Sequence, residues 1–294
     1  MNQVLNSEVA SVEIKPLGAE MVSFKRKDTG IEYVWSGDAK FWTGRSPVLF
    51  PIVGSVYEGK IRAEGGTYEL KNHGFARTRE FRLVEADEKR AAFRLAYDDE
   101  TLAMYPYKFA LTLTYTLDES ILRIDYRVDN EDDKPIYFQL GTHPAFNCPI
   151  GGGEDDEQFE DYRLEFEQPE TLERFFVTGG NIQIPDKSET LLEEETLLPL
   201  ARRQFEEGAM IFRDVKSERV TLASGKNDHS VTVSYENFPY LGVWQPLNAP
   251  FVCIEPWHGL ADADRFQGEL KDKELAAEVQ PGEYFEASLM IEVK

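Results

Sequence analysis

Alternation of apolar and polar positions dominates the chain. From Phe109 to Leu117, residues Phe109, Leu111, Leu113, Tyr115 and Leu117 fall on one face, and Ala110, Thr112, Thr114 and Thr116 on the other. Asp118-Glu119-Ser120 supplies a turn, after which Leu122, Ile124, Tyr126 and Val128 alternate with Arg123, Asp125 and Arg127. A period of two with one wet face predicts a long antiparallel hairpin. Shorter stretches predict strands at 8–14, 19–26, 80–86, 90–97, 162–167, 171–177, 209–213, 219–224, 230–235 and 284–293, with turn signals such as Asp28-Thr-Gly30 and Glu64-Gly-Gly66 between them. Helical pattern is confined to 98–104, where Asp98 can cap a turn, and to 268–277. Strands do not alternate with helices, so a parallel α/β sheet is not expected. Asn147–Gln158, with its glycines and acidic cluster, reads as an exposed loop. With no linker and no internal repeat, the expectation is one all-β domain over residues 1–294, built as an antiparallel sandwich with few short helices.

Charge narrows the partners. The formal net charge is −22, and residues 154–195 alone hold fifteen Asp and Glu against Arg163, Arg174 and Lys187. Nucleic acid and anionic membranes both require a basic footprint, so neither is an expected partner. The acidic stretch reads as a solubilising face. Cys148 and Cys253 are too few for a disulfide framework, and their apolar neighbours predict buried free thiols. No N-terminal leader pattern and no apolar run of about 20 residues is visible, which predicts a cytoplasmic protein. A monomer or homodimer is expected.

Three segments interrupt the strand pattern and are dense in chemically capable residues: His73-Gly-Phe-Ala-Arg77, Gly141-Thr-His-Pro-Ala-Phe146 and Phe251-Val-Cys-Ile-Glu-Pro-Trp-His258. His143 and Glu255 each precede a proline, which pushes their backbones toward extended geometry and predicts fixed, strand-end side chains. Glu255 lies between the apolar run Phe251–Ile254 and Trp257; partial desolvation there raises a carboxylate's pKa, as a general base near neutrality needs. Taken singly, each histidine is more often structural and Glu255 more often an ion-pair partner; their joint occurrence points to a site. His229 reads as surface and His258 stays open. Metal binding is the natural rival for two histidines and a glutamate, but the chain lacks HxH and HExxH spacing. It also lacks a dinucleotide fingerprint, a phosphate loop and a nucleophile elbow, so no cofactor is expected.

At these segments the sequence resembles the aldose 1-epimerase (galactose mutarotase) family, in particular its LacX-like bacterial branch. The matching stretches run in order: Gly18-Ala-Glu20, Tyr33-Val-Trp35, Arg45 to Gly54, His73 to Arg77, Tyr105-Pro-Tyr107, Gly141 to Phe146, and Tyr240-Leu-Gly-Val-Trp244 through Phe251–Trp257. The resemblance implies a supersandwich of antiparallel strands with a sugar cleft. It also implies catalysis by two histidines and a glutamate, which by position are His73, His143 and Glu255. The family's sugar-binding aspartate has no motif match here; Asp214 is taken as its counterpart. Arg45 and Arg77 match this branch and the related hexose-6-phosphate mutarotases. Guanidinium suits phosphate or paired hydroxyls, with the alternative that either arginine pins a neighbouring group. Trp257, Phe75 and Trp42 are candidate apolar platforms for the sugar, or core residues.

The implied reaction interconverts the α and β anomers of a hexose or hexose phosphate. The anomeric hydroxyl loses a proton, the ring oxygen gains one, the ring opens, and it recloses on the other face. Glu255 is expected as the base, His143 as a protonated acid on the ring oxygen, and His73 as a hydrogen-bond donor. Two rivals remain at the sequence level: a non-catalytic carbohydrate sensor on the same fold, and a glycoside hydrolase, which would need a second carboxylate in a setting like that of Glu255.

Overall fold

The computed structural model describes residues 1–152, 156–178 and 180–294. The chain is all-β and antiparallel. One fifteen-stranded sheet runs from an edge at Val48–Leu49 through Leu140–Thr142, Phe251–His258, Tyr240–Trp244, Met210–Phe212, Tyr162–Val177 and Arg219–Ser224. It continues through Ser230–Glu236, Tyr284–Val293, Ile121–Asn130, Phe109–Asp118 and Arg90–Ala96 to Arg82–Ala86. The predicted hairpin forms with its apolar face in register, Leu117 opposite Leu122 and Tyr115 opposite Ile124. A separate sheet of Gln3–Asn6, Ala10–Lys15 and Glu20–Arg26 packs on that face. Leu5, Val12 and Phe24 share a buried cluster with Phe93 and Leu113, and the Tyr115 hydroxyl donates to the Ala19 carbonyl. Each such fully buried side chain contributes about 1.5–3 kcal/mol.

Three expectations are corrected. The strands at 162–167 and 171–177 are one, Tyr162–Val177, paired with Gln183–Pro199, which alternation did not reveal. Most of Gln183–Pro199 is exposed on both faces, so no apolar stripe marks it. The pair slips register between Glu165 and Glu170, around Pro169, which has no N–H to give the ladder. The stretch 268–277, expected to be helical, holds a 3₁₀ turn at Leu270–Asp272 and ends on the first residue of the strand Ala277–Val279. The residues after the turn serve tertiary partners instead: Lys273 pairs with Asp262, and the Glu274 carbonyl accepts from Gln139. The third chemical segment does not break the strand pattern; it is the interior strand Phe251–His258, buried on both faces and therefore without alternation.

Other expectations meet the structure directly. Asp98 caps the short helix Asp99–Leu102 by accepting from the Thr101 N–H at 2.7 Å. Both cysteines are free and buried. The loop expected at Asn147–Gln158 begins with a turn at Ile150–Gly152, while Gly153, Glu154 and Asp155 lie outside the described residues. Among the described residues no helix is long and apolar enough to cross a membrane.

Candidate active site

The register of one strand assembles the site. Leu140–Thr142 and Ala145–Asn147 both pair with Phe251–His258, Gly141 opposite Trp257 and Ala145 opposite Cys253. His143-Pro144 spans the break between the two short strands, and the shared register places His143 opposite Glu255. On the other side of the same strand Glu255 faces Gly242, which in turn faces Ile211. Ile211, Gly242, Glu255 and His143 thus form a row across the sheet. Period two brings Trp257 to the face of Glu255, since successive side chains alternate. Gly242 and Gly141 leave the indole its room: a Cβ on either would approach its ring carbons to 2.8 and 2.9 Å.

His73 arrives from a turn. Its φ of +64° is left-handed, a conformation held in place by neighbouring bonds. Its N–H donates to the Gly54 carbonyl at 2.8 Å, and the Gly54 N–H donates back to His73 Nδ1 at 3.0 Å. An accepting Nδ1 leaves the ring proton on Nε2, so neutral His73 offers a donor there. The His73 and His143 rings meet edge-on, centroids 5.7 Å apart. Trp42 stacks on His143 at 4.8 Å, and Trp244 meets it edge-on at 5.5 Å.

These residues line a 410 Å³ cavity together with Arg77, Asn72, Asn181 and Leu260. Its volume and its mix of aromatic walls with a few polar groups suit a small-molecule ligand. His143 Nε2 lies 3.2 Å from Glu255 Oε2. Three buried polar atoms at the cavity, His143 Nδ1, Glu255 Oε1 and Trp257 Nε1, have no hydrogen-bond partner among the described residues. Groups of this kind are rare in folded proteins and costly to bury unpaired.

Burial also sets the protonation states. It raises the Glu255 carboxyl well above the usual range, opposed only by the nearby Trp257 indole N–H, which falls short of a full hydrogen bond. It lowers His143 to about 3 and His73 well below its ordinary value, and the charge of Arg77 adds to both shifts. The low-dielectric site therefore favours the neutral pair, with the proton on Glu255 rather than on His143. Burial thus works against the protonated His143 expected from the sequence.

Of the expected substrate-binding residues, Arg77 and Trp257 line the cavity, and so does Trp42. Three others do not. The Arg45 guanidinium donates to the Val22 carbonyl at 2.6 Å, and its backbone N–H donates to Glu20. Asp214 is exposed at a left-handed turn. Phe75 packs among Phe50, Tyr105 and Phe109. Sequence reasoning passed over Asn72, Asn181 and Trp244. Asn72 directly precedes His73 and Trp244 ends a quoted motif, so both carried a signal; Asn181 stands in no motif. His258 faces away, meeting Phe285 and the Asn237 carbonyl.

Donor atoms of His143, Cys253 and Glu255 lie within 4.8 Å of one another and could meet a metal ion. Burial raises the pKa of the Cys253 thiol, so binding a metal there would have to release the thiol proton.

Similarity to known proteins follows the same geometry. The aldose 1-epimerase family model matches residues 2–276, and the chain belongs to that family. Two LacX proteins of Lactococcus lactis subsp. lactis, one plasmid-borne and one chromosomal, are each 35% identical over 291 residues, 94% of this chain and of theirs. A solved galactose mutarotase-like protein from Lactobacillus casei is 32% identical and superposes with a TM-score of 0.93 over all of both chains. A galactose mutarotase related enzyme from Lactobacillus acidophilus is 30% identical with a TM-score of 0.93, covering 100% of this chain and 97% of that one.

Proposed function

We propose that the protein is a cofactor-independent aldose 1-epimerase that interconverts the anomers of a hexose at the cavity of His73, His143 and Glu255, in a single domain. The observation that carries this reading is the buried His143–Glu255 pair, with an unpartnered polar atom on each residue, beside a second oriented histidine.

Proton accounting supports the assignment. Ring opening moves the anomeric proton to Glu255 and delivers a proton from His143 to the ring oxygen. The reactive pair is carboxylate and imidazolium before this step, and carboxylic acid and imidazole after it. The pair's total proton count and net charge are unchanged. Burial favours the second distribution, which is the one present while the sugar is open. Each positioned transfer is worth about 10²–10⁴-fold. The His73 Nε2–H donates to the ring oxygen or a neighbouring hydroxyl, and the Trp257 and Trp42 rings give the sugar apolar walls. Reclosure after rotation about the first carbon–carbon bond runs both transfers in reverse.

A free hexose is favoured over a phosphate. The phosphate expectation rested on two arginines, and Arg45 is engaged elsewhere, which leaves Arg77 as the one cation lining the cavity among the described residues. Polarimetry with freshly dissolved glucose, galactose and tagatose, and NMR exchange with their 6-phosphates, tests the reading. Acceleration of a free sugar that His143→Asn lowers by about 10²-fold or more is expected. Sugar binding by calorimetry without acceleration would favour a sensor instead.

A further inference from the structure

Cys253 has no role in the proton transfers proposed above, yet it stands beside the residues that carry them. Side chains two apart on a strand share a face, so Cys253, Glu255 and Trp257 point to one side of Phe251–His258. Ala145, two residues after His143, pairs with Cys253. A ring nitrogen of His143, the Cys253 sulfur and a Glu255 oxygen all lie within 4.8 Å of one another, and all three residues are buried. Nitrogen, thiolate sulfur and carboxylate oxygen together are ligands of zinc-class cations, whereas magnesium and calcium take oxygen.

We propose that His143, Cys253 and Glu255 form an inhibitory site for a thiophilic divalent cation of the zinc class. The spacing fits. A tetrahedral zinc ion holds a nitrogen and an oxygen ligand about 3.4 Å apart, and His143 Nε2 and Glu255 Oε2 are 3.2 Å apart. The sulfur, within 4.8 Å of both, needs to approach to about 3.6 Å for a Zn–S bond of about 2.3 Å. Independently of spacing, His143 Nδ1 and Glu255 Oε1 are buried without a hydrogen-bond partner among the described residues, so both side chains have capacity to spare for a ligand. His143 and Glu255 line the cavity, which gives an ion its entry and leaves a fourth position for water. Charge decides which cation. Thiolate and carboxylate together neutralise a divalent ion, and two protons leave as it enters, so no net charge is added to the buried site. Arg77 lines the same cavity and opposes a cation held by the carboxylate alone, so the thiolate is what admits zinc and rejects magnesium. The inhibitory effect rests on the epimerase reading, because the ion occupies the atoms that move the protons; the binding does not.

Cobalt is the probe, because a Co²⁺–thiolate bond gives a charge-transfer band in the near ultraviolet. The reduced, chelator-treated protein is titrated with Co²⁺, then with Zn²⁺ or excess Mg²⁺. One equivalent of Co²⁺ should raise the band in the wild type and in Cys148→Ala, and Zn²⁺ but not Mg²⁺ should displace it. Cys253→Ala should lose the band. Glu255→Gln and His143→Asn keep the thiol and should each bind Co²⁺ about tenfold or more weakly, one ligand being lost. No band in the wild type would overturn the site, as would a band that survives in Cys253→Ala or undiminished affinity in both Glu255→Gln and His143→Asn. Glucose anomer exchange by NMR then reads the consequence. Saturating Zn²⁺ should slow the wild type by about 10²-fold or more, EDTA should restore it, and Cys253→Ala should run at the same rate with and without zinc. A cobalt band without any effect of zinc on exchange would overturn the inhibitory role. No acceleration by the metal-free protein would overturn the epimerase reading, and the cobalt band alone would then decide the metal site.

Discussion

At the residue scale, burial acts oppositely on the members of the proposed catalytic group. Glu255 binds its proton more tightly in the folded chain than in the unfolded one, because burial raises its pKa. Its contribution to stability is full below an unfolded value of 4.5 and is lost as pH rises through the folded value. His73 and His143 are lowered from 6.5, His143 to about 3. Their contribution is present above 6.5 and is lost as pH falls toward the folded values. The two effects oppose each other between pH 4.5 and 6.5. Thermal melts at those two limits should show His143→Asn less sensitive to acidification than the wild type, and Glu255→Gln more sensitive. The same sign of change in both variants would contradict the protonation states described here.

At the element scale, the site is a product of register. The pre-proline positions of His143 and Glu255 and the apolar run before Glu255 were legible in the sequence, as was the alternating hairpin at 109–128. That His143 stands opposite Glu255 was not. It depends on two short strands sharing one partner, a long-range pairing that periodicity cannot express. Arg45 and Asp214 misled for a related reason: a residue type states what a side chain can bind, and only packing decides whether it faces the cavity. Gln183–Pro199 escaped notice because a strand wet on both faces has no apolar stripe. The strand Tyr240–Trp244 must carry glycine where it passes Trp257. Gly242→Ala would bring a Cβ to 2.8 Å of the indole, an overpacking expected to cost about 1–3 kcal/mol. Urea unfolding should show that loss together with altered tryptophan emission; an unchanged midpoint would mean that Trp257 is free to shift.

At the scale of the whole molecule, distant segments are tied around the cavity by a buried ion pair. Lys273 and Asp262 are almost fully enclosed and in contact. Asp262 Oδ2 also accepts from the Tyr57 N–H at 2.8 Å, and its backbone N–H donates to the Ser55 carbonyl at 2.9 Å. These bonds join the wall at Leu260 and Ala261 to the turn whose Gly54 orients His73. Lys273→Met leaves the carboxylate buried without its cation, and such breaks cost about 3–5 kcal/mol. A loss below about 1 kcal/mol in chemical denaturation would show the pair to be incidental to the wall.

The most direct test of the central claim is the rate of exchange between α and β glucose at equilibrium, measured by NMR with wild type and with Glu255→Gln. Wild type is expected to speed exchange in proportion to enzyme concentration. Glu255→Gln, folded by circular dichroism and still binding sugar, is expected to lose about 10²–10⁴-fold of that rate. A variant that retained near-wild-type exchange would contradict the assignment of Glu255 as the base.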